Sequence, residues 1–219
     1  MNNIKGMSEK TRTLFEQFIS EVQKESFAEG YEAGKSSIES VEEKTPNQQR
    51  AELIEKAKKF IEECKKDSTW GGRVYFVPMA NGGQWICDVR FEVNASKRTI
   101  VALLFWKPRH YKKGVLKAKG IAKCMPGDVF NEHIGQAIAL AKALQIDIPV
   151  EFLKAIQPSE VVVGMKVEVK GVYHPYVSTI LREGAAINGD ENTIDFIERN
   201  PDRVIRIVND TNAQYEVST

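Results

Sequence analysis

The chain has 219 residues, of which 42% are hydrophobic and 28% are charged, and its formal net charge is +1. This composition is typical of a globular protein with one large or two small domains, and it excludes a collagen-like or low-complexity chain. No long uninterrupted apolar stretch predicts a transmembrane helix. The first residues lack the apolar core of a signal peptide, so we expect the protein to reside in the cytoplasm.

Residues 1–46 are predicted to form a helix followed by a polar linker. Within Ser8–Glu32 an apolar stripe recurs at helical spacing, and its members are Leu14, Phe15, Phe18, Ile19 and Val22. A single helix cannot bury such a stripe by itself. We therefore expect the stripe to dock either on the body of the protein or on its copy in an oligomer.

Residues 47–158 are predicted to form an α+β core of α-β-β-β-β-α order with an antiparallel sheet. Hydrophobic periodicity predicts helices over 47–66 and 131–145, the second capped by Asn131, and strands over 73–79, 84–94, 98–106 and 115–124. The third of these strands is apolar on both faces, which predicts a central strand that is covered on both sides.

The fourth strand is expected to present two unlike faces. One face has mostly small side chains that would let a helix approach closely, and it consists of Leu116, Ala118, Gly120, Ala122 and Cys124. The other face is largely cationic and consists of Val115, Lys117, Lys119, Ile121 and Lys123. Residues 159–219 are predicted to form a small β-rich, barrel-like module that ends in a hairpin turning at 209–212.

Positive charge is concentrated in the middle of the chain. Residues 70–150 carry 12 basic and 5 acidic residues, and the stretch Val93–Gly127 contains nine Lys and Arg but no Asp or Glu. Such a field attracts polyanions or an acidic protein surface. The predicted binding residues are Lys97, Arg98, Lys107, Arg109, His110, Tyr111, Lys112, Lys113, Lys117, Lys119 and Lys123. The alternative is that these lysines protect a sheet edge against aggregation.

Reactive groups are few, and no motif predicts an enzyme. The three cysteines form no CxxC pair and the histidines are not at metal-ligand spacing, so we expect buried free thiols, no metal and no cofactor. Glu168 and Lys170 match half of a metal-dependent nuclease site, which would need Asp88 from the other domain. Alternation along a strand often produces this pair by itself.

Two consecutive segments carry a resemblance to a known family. Gly120–Asp128 reads GIAKCMPGD, and Ile134–Leu144 reads IGQAIALAKAL. They are similar to a family of uncharacterised bacterial and phage proteins whose fold is described as like the double-stranded RNA-binding domain. The resemblance covers residues 50–158 approximately. It implies such a core in a protein of a phage or prophage of Gram-positive bacteria.

One departure from double-stranded RNA binders bears on function. Those proteins place a lysine cluster at the start of the last helix, where it clamps phosphates across a groove. Here the same position reads Asn131-Glu132-His133, with Asp128 just before it. An acidic helix start opposes phosphate binding, so the resemblance supports the fold more than it supports RNA binding.

Three hypotheses about function follow. The first is a phage-encoded, non-catalytic binding protein that inhibits a host or defence component in the infected bacterium, with the basic sheet face engaging nucleic acid or an acidic host protein that handles it. The second is a nucleic-acid-binding accessory protein of phage replication or packaging. The third is a protein that binds a nucleotide signal and so sequesters it.

Overall fold

The computed structural model describes residues 9, 13–14, 16–22, 24, 44–68, 72–106, 114–183 and 192–215. The chain divides into two compact units, Met1–Lys44 and Thr45–Thr219. In the first unit, residues 16–22 are helical, and the side chains of Leu14, Phe18, Ile19 and Val22 are exposed. Phe15, the fifth residue of the predicted stripe, lies outside the described residues. No helix within the described ranges is both long and apolar enough to cross a membrane.

The second unit begins with helix α1, Pro46–Glu63. The Thr45 hydroxyl accepts a hydrogen bond from the backbone N–H of Gln48 at 3.2 Å, and the Thr45 N–H donates to Gln48 Oε1 at 2.9 Å. This reciprocal capping box satisfies two N–H groups that have no partner inside the helix. Pro46 suits the first helical position because its missing N–H would have no partner there. The helix therefore starts at Pro46, which was predicted to be the last residue of the linker.

Five antiparallel strands form the main sheet in the order β1-β2-β3-β4-β5. They are β1 Lys66–Asp67, β2 Arg73–Pro78, β3 Gln84–Asn94, β4 Thr99–Trp106 and β5 Val115–Lys123. The predicted α+β class and the antiparallel sheet are confirmed. The two-residue strand β1 was not predicted, because two residues are too few to show an alternating pattern.

Helix α2, Glu132–Leu144, packs on one face of this sheet, which we call the inner face. Asn131 caps the helix as predicted, because its Oδ1 accepts from the Ile134 N–H at 3.2 Å. A Cβ atom on Gly120 would lie 2.0 Å from the carbonyl oxygen of Ala139 and 2.6 Å from the backbone nitrogen of Ala143. The helix backbone therefore rests directly on strand β5. The short helix α3, Val150–Leu153, follows.

The C-terminal part is β-rich, as predicted. Strands β6 Lys166–Val169, β7 Tyr176–Thr179 and β8 Val204–Asn209 form an antiparallel sheet in the order β7-β6-β8, with helix α4, Ile194–Arg199, beside it. Over the described residues this is an open three-stranded sheet and not a barrel. A hairpin that turns at 209–212 was predicted to continue into a strand containing Gln214 and Tyr215. This prediction is wrong for these two residues, because neither belongs to a strand. After the turn, the Gln214 N–H instead donates to the Val163 carbonyl at 2.8 Å.

A buried ion pair connects α1 with the residue that follows β8. Arg50 Nε donates to Asp210 Oδ2 at 2.8 Å, and the two side chains are 1% and 0% exposed. Tyr215 and Asn131 also donate to the Asp210 carboxylate, at 2.6 and 3.0 Å. A buried pair is tolerated when additional hydrogen bonds satisfy its polar atoms. The segments 47–158 and 159–219 thus share one buried polar network within a single compact unit.

Candidate binding surface

Strand β4 separates the two faces of the five-stranded sheet. Ile100, Ala102 and Leu104 lie on the inner face and are buried. The three residues that alternate with them, Val101, Leu103 and Phe105, point to the opposite face and are half-buried. We call this opposite side the outer face. Among the described residues of the second unit, no helix packs across it.

The cross-strand register arranges the outer face in rows. Phe105 pairs with Asp88 and Leu116, Leu103 pairs with Arg90 and Lys119, and Val101 pairs with Glu92 and Ile121. The middle of each row is apolar, so β4 forms an apolar column that we call the outer column: Val101, Leu103 and Phe105. Leu116 and Ile121 extend it onto the edge strand β5 and are exposed.

The outer column bears on one prediction. The apolar pattern of β4 predicted a strand covered on both sides, but in the second unit only the inner face carries a helix. The pattern is the same whether the second face is covered by the chain itself or by a partner, so the sequence could not distinguish the two cases. The apolar residues of the outer column were predicted, and the cover over their face stays a prediction.

A β-bulge corrects the predicted faces of β5. The register shifts between Leu104, which pairs with Ala118, and Phe105, which pairs with Leu116. Lys117 is the extra residue at the bulge, and the alternation reverses there. Leu116 therefore joins the outer face, while Lys117 leaves the predicted cationic face.

Lys117 lies instead against two tryptophans that pack on the inner core. Its Nζ is 3.6 Å from the ring centroid of Trp85 and 5.1 Å from that of Trp106. The two rings are 4.7 Å apart. A cation held over aromatic faces is stabilised by the charge distribution of the rings. Lys117 is thus engaged by the two tryptophan rings and is half-buried.

Arg98 is also engaged within the fold. It lies in the β3–β4 turn with a φ of 51°. Its guanidinium donates to Cys124 Sγ at 2.9 Å, to the Met125 carbonyl at 3.0 Å and to the Asp128 carbonyl. These bonds fasten the turn to the loop after β5. Arg98 therefore does not belong to a free cationic surface.

The remaining predicted binding residues divide into two groups. Lys97, Lys119 and Lys123 are exposed, and the last two lie on the outer face of the edge strand. The residues of the β4–β5 connection lie outside the described residues, namely Lys107, Arg109, His110, Tyr111, Lys112 and Lys113.

Strand β3 contributes both signs of charge to the outer face. Asp88 and Glu92 are exposed and flank Arg90 in the sequence. The Arg90 guanidinium lies 5.1 Å from the centre of the Phe105 ring and 3.8 Å from a carboxylate oxygen of Glu92. The outer face is therefore apolar in the middle, cationic along β5 and mixed along β3, and it is less uniformly basic than the sequence predicted.

The thiols are held in their protonated form. Burial raises the pKa of the Cys64 and Cys87 thiols from the usual 9.0 to about 11. Burial also raises the pKa of Cys124, and the neighbouring Arg98 opposes that rise. Since the thiolate is the nucleophilic form, none of the three is activated at neutral pH.

The residues of the predicted nuclease site lie on two different sheets. Glu168 lies on β6 and accepts from Arg206 Nε at 2.7 Å, whereas Asp88 lies on β3 of the other sheet. Across the described ranges, no group of three or more His, Cys, Asp or Glu residues could hold a metal ion.

Comparisons with protein-family models, with curated proteins and with solved structures gave no match. The likeness to the family with a double-stranded RNA-binding-like core therefore stays a prediction.

Proposed function

We propose that the protein is a non-catalytic binding protein that holds an acidic protein partner on the outer face of its five-stranded sheet. The observation that carries the proposal is the outer column, three half-buried apolar side chains over which no helix of the second unit packs. Leu116 and Ile121 extend this patch and are 47% and 45% exposed. Contiguous apolar patches of this kind mark protein interaction sites.

The charges on the outer face favour a negatively charged partner that binds in one orientation. Lys119 and Lys123 are exposed along the edge strand β5, beside the apolar column. Apolar groups at the centre of an interface supply most of the affinity, and charges at the rim steer and orient the partner. We therefore expect acidic side chains of the partner to lie over β5, and not over Asp88 and Glu92 of β3.

The apolar centre favours a protein over nucleic acid. Val101 and Leu103 offer no ring on which a base could stack, and the ring of Phe105 already has the Arg90 guanidinium 5.1 Å from its centre. Along β3 the two carboxylates of Asp88 and Glu92 stand against the single guanidinium of Arg90, which does not favour a phosphate backbone there. A protein surface with apolar and acidic side chains fits both features.

Nucleic acid is the second candidate because of one specific observation. Lys97, Lys119 and Lys123 are exposed and belong to a stretch with nine basic residues and no acidic one. A duplex that contacts β5 would meet Lys119 and Lys123 without crossing β3.

The biological setting rests on the family resemblance alone. A phage-encoded protein that captures a host or defence protein would act in the cytoplasm of the infected bacterium. An accessory role in phage replication or packaging would accompany the nucleic-acid candidate.

The test compares three variants of the full chain. Leu103→Asp breaks the outer column, Lys119→Glu with Lys123→Glu reverses the charge along β5, and Lys166→Glu changes an exposed lysine of the other sheet as a control. A protein captured by the wild type from bacterial lysate is purified and titrated against each variant. We expect Leu103→Asp to abolish binding, the double variant to weaken binding and reduce its salt dependence, and Lys166→Glu to bind like the wild type.

Each of two further measurements has an outcome that would overturn the proposal. The first titrates labelled duplex DNA and duplex RNA across a salt series. A steep salt dependence that is lost in the double lysine variant and kept in Leu103→Asp would identify nucleic acid as the partner. The second is sedimentation of the protein alone. A dimer that Leu103→Asp converts into a monomer would identify a second copy of this chain as the occupant of the outer face.

A further inference from the structure

The second edge of strand β5, Val115–Lys123, is open. One side of β5 pairs with β4, and no other described strand pairs with it, so the sheet ends at this edge. The strand is nine residues long, whereas the usual strand has about 5–6 residues. An open edge presents unpaired N–H and C=O groups, which can bond to a further strand. The edge of β5 is therefore a long template for an added strand.

The ladder between β4 and β5 determines which backbone groups of β5 face the open edge. The Cys124 N–H donates to the Arg98 carbonyl at 2.9 Å, so it points towards β4. Residues of an antiparallel strand point their backbone groups alternately to one side and to the other. Gly120 and Ala122 therefore bond to β4 as well. The residues that alternate with them point to the open edge, and we call them the edge residues: Lys119, Ile121 and Lys123.

A contact from α2 supports this assignment. Lys142 Nζ donates to the Ile121 carbonyl at 3.0 Å. This oxygen is therefore accessible to a donor from outside the ladder, as the alternation requires. A carbonyl oxygen has two lone pairs, so it can also accept a hydrogen bond from an added strand. Since α2 packs on the inner face, Lys142 brings a positive charge to the inner side of the edge.

The charges along the edge favour an acidic strand. Lys119 and Lys123 are exposed on the outer side, and β5 itself contains no Asp or Glu. Opposite charges on neighbouring strands stabilise their pairing, whereas like charges destabilise it. A second copy of β5 would bring lysines against these lysines. A strand with Glu or Asp at alternate positions would instead meet each lysine with the opposite charge.

We propose that the acidic partner adds an extended segment as a sixth strand along the open edge of β5. Its carboxylates would lie beside Lys119 and Lys123, and its backbone would bond to the edge residues. Strand addition obtains affinity from main-chain hydrogen bonds and specificity from alternate side chains. The inference rests on the proposed function, because it states how the partner reaches the outer face. The outer column lies one strand further in, where the rest of the partner would pack.

The probe is a short peptide that can form the added strand but cannot cover the outer column as well. It has the sequence TETVTET and is blocked at both ends, and its two glutamates and its valine share one face of a strand. Their spacing matches that of the edge residues. The peptide is titrated into the isotope-labelled full chain and binding is followed by NMR. We expect saturable binding that weakens as salt is added, and no binding at millimolar peptide would overturn the proposal.

Two matched peptides test what carries the binding. The first has lysine in place of both glutamates, and we expect repulsion from the edge to abolish its binding. The second has N-methylvaline in place of valine, so it keeps the charges but loses a backbone donor that would face β5. We expect it to bind much more weakly than the parent peptide. Equal binding of the N-methylated peptide would overturn strand addition and leave only an attraction between side chains.

Hydrogen exchange of the wild-type chain gives a measurement that does not depend on a variant. We expect the saturating peptide to slow exchange of the amide protons of the edge residues, because they become hydrogen-bonded. The amide protons of Gly120 and Ala122 should exchange as before, since they already bond to β4. Unchanged exchange at the edge residues would contradict strand addition.

A pair of variants at one position separates the backbone from the side chain. Ile121→Pro removes an N–H that faces the open edge without removing a bond to β4, and proline is tolerated at such positions of edge strands. Ile121→Ala shortens the same side chain but keeps the N–H. We expect the peptide to bind Ile121→Pro about fivefold or more weakly than Ile121→Ala, the effect of about one hydrogen bond. Equal affinities in the two folded variants would overturn the proposal.

Failure of strand addition can be distinguished from failure of the proposed function. If the peptide does not bind while Leu103→Asp still abolishes binding of the captured protein, the partner surface stands and strand addition is wrong. If the peptide binds at the edge while the captured protein binds Leu103→Asp like the wild type, strand addition stands and the outer column is not the partner surface. The two results are independent because the peptide is confined to the edge.

Discussion

The inner and outer faces of the five-stranded sheet are built from the same strands, yet they differ in what covers them. On β4, Ile100, Ala102 and Leu104 of the inner face are at most 1% exposed, whereas the outer column is half-buried. Helix α2 covers the inner face and approaches it closely at Gly120. Within the described part of the second unit, the two apolar faces of β4 differ in burial because a helix packs on the inner face.

The largest expected effect comes from a pair of adjacent leucines on opposite faces. Leu104→Ala should lower the free energy of unfolding by about 2–5 kcal/mol, because it leaves a cavity under α2. Leu103→Ala should lower it by only about 1 kcal/mol, because the side chain is half-buried. Chemical denaturation of both variants measures the difference. Equal losses would mean that the outer face is buried as deeply as the inner face within the chain itself.

A pair of glycines tests how closely α2 approaches the inner face. Gly120→Ala places a methyl group against the helix backbone and should lower the free energy of unfolding by about 1–3 kcal/mol through overpacking. Gly127→Ala is the matched control, because a Cβ there meets nothing within 4 Å. Its stability should stay within about 0.5 kcal/mol of the wild type. A tolerated Gly120→Ala would show that the helix can move away from the sheet at little cost.

The inner face should also make stability depend on alkaline pH. The folded-state pKa of Cys87 is about 11 and its usual value is 9.0, so the unfolded chain loses this proton first as the pH rises. The stabilising contribution is complete below pH 9 and is lost progressively up to pH 11. Unfolding free energies measured across this window should fall less steeply for Cys87→Ala than for the wild type. The same slope in both proteins would contradict a buried, protonated thiol on the inner face.

The smallest effect on stability is expected on the outer face of β5. Lys119→Glu with Lys123→Glu should change the free energy of unfolding by no more than about 0.5 kcal/mol, because both side chains are exposed. Glutamate also keeps a charge at the sheet edge, so protection against aggregation is retained. A loss of several kcal/mol in denaturation experiments would assign these lysines to the stability of the sheet and not to a partner.

Much of the fold could be predicted from local patterns. Strand β3 has the predicted bounds, the other main elements differ by at most a few residues, and Asn131 caps α2 as expected. These features depend on periodicity and capping, which act over a few neighbouring residues. The predicted class of fold required no knowledge of distant contacts.

The site could be predicted only in part. Lys119 and Lys123 lie on the predicted face, but Lys117 is turned away by a bulge and Arg98 is tied to the loop after β5. Both corrections come from contacts with other strands or loops. A count of charges along the sequence contains no information about such contacts.

The sequence by itself determined the order of the main elements, the alternation along β3 and β4 and the concentration of positive charge. Tertiary structure alone decided which face of β4 is covered, where Arg98 points, and that Arg50 pairs with Asp210, which lies 160 residues away. The reason is physical. Periodicity arises from the geometry of a single helix or strand, whereas the cover of a face and the partner of a buried charge depend on which distant segments pack there.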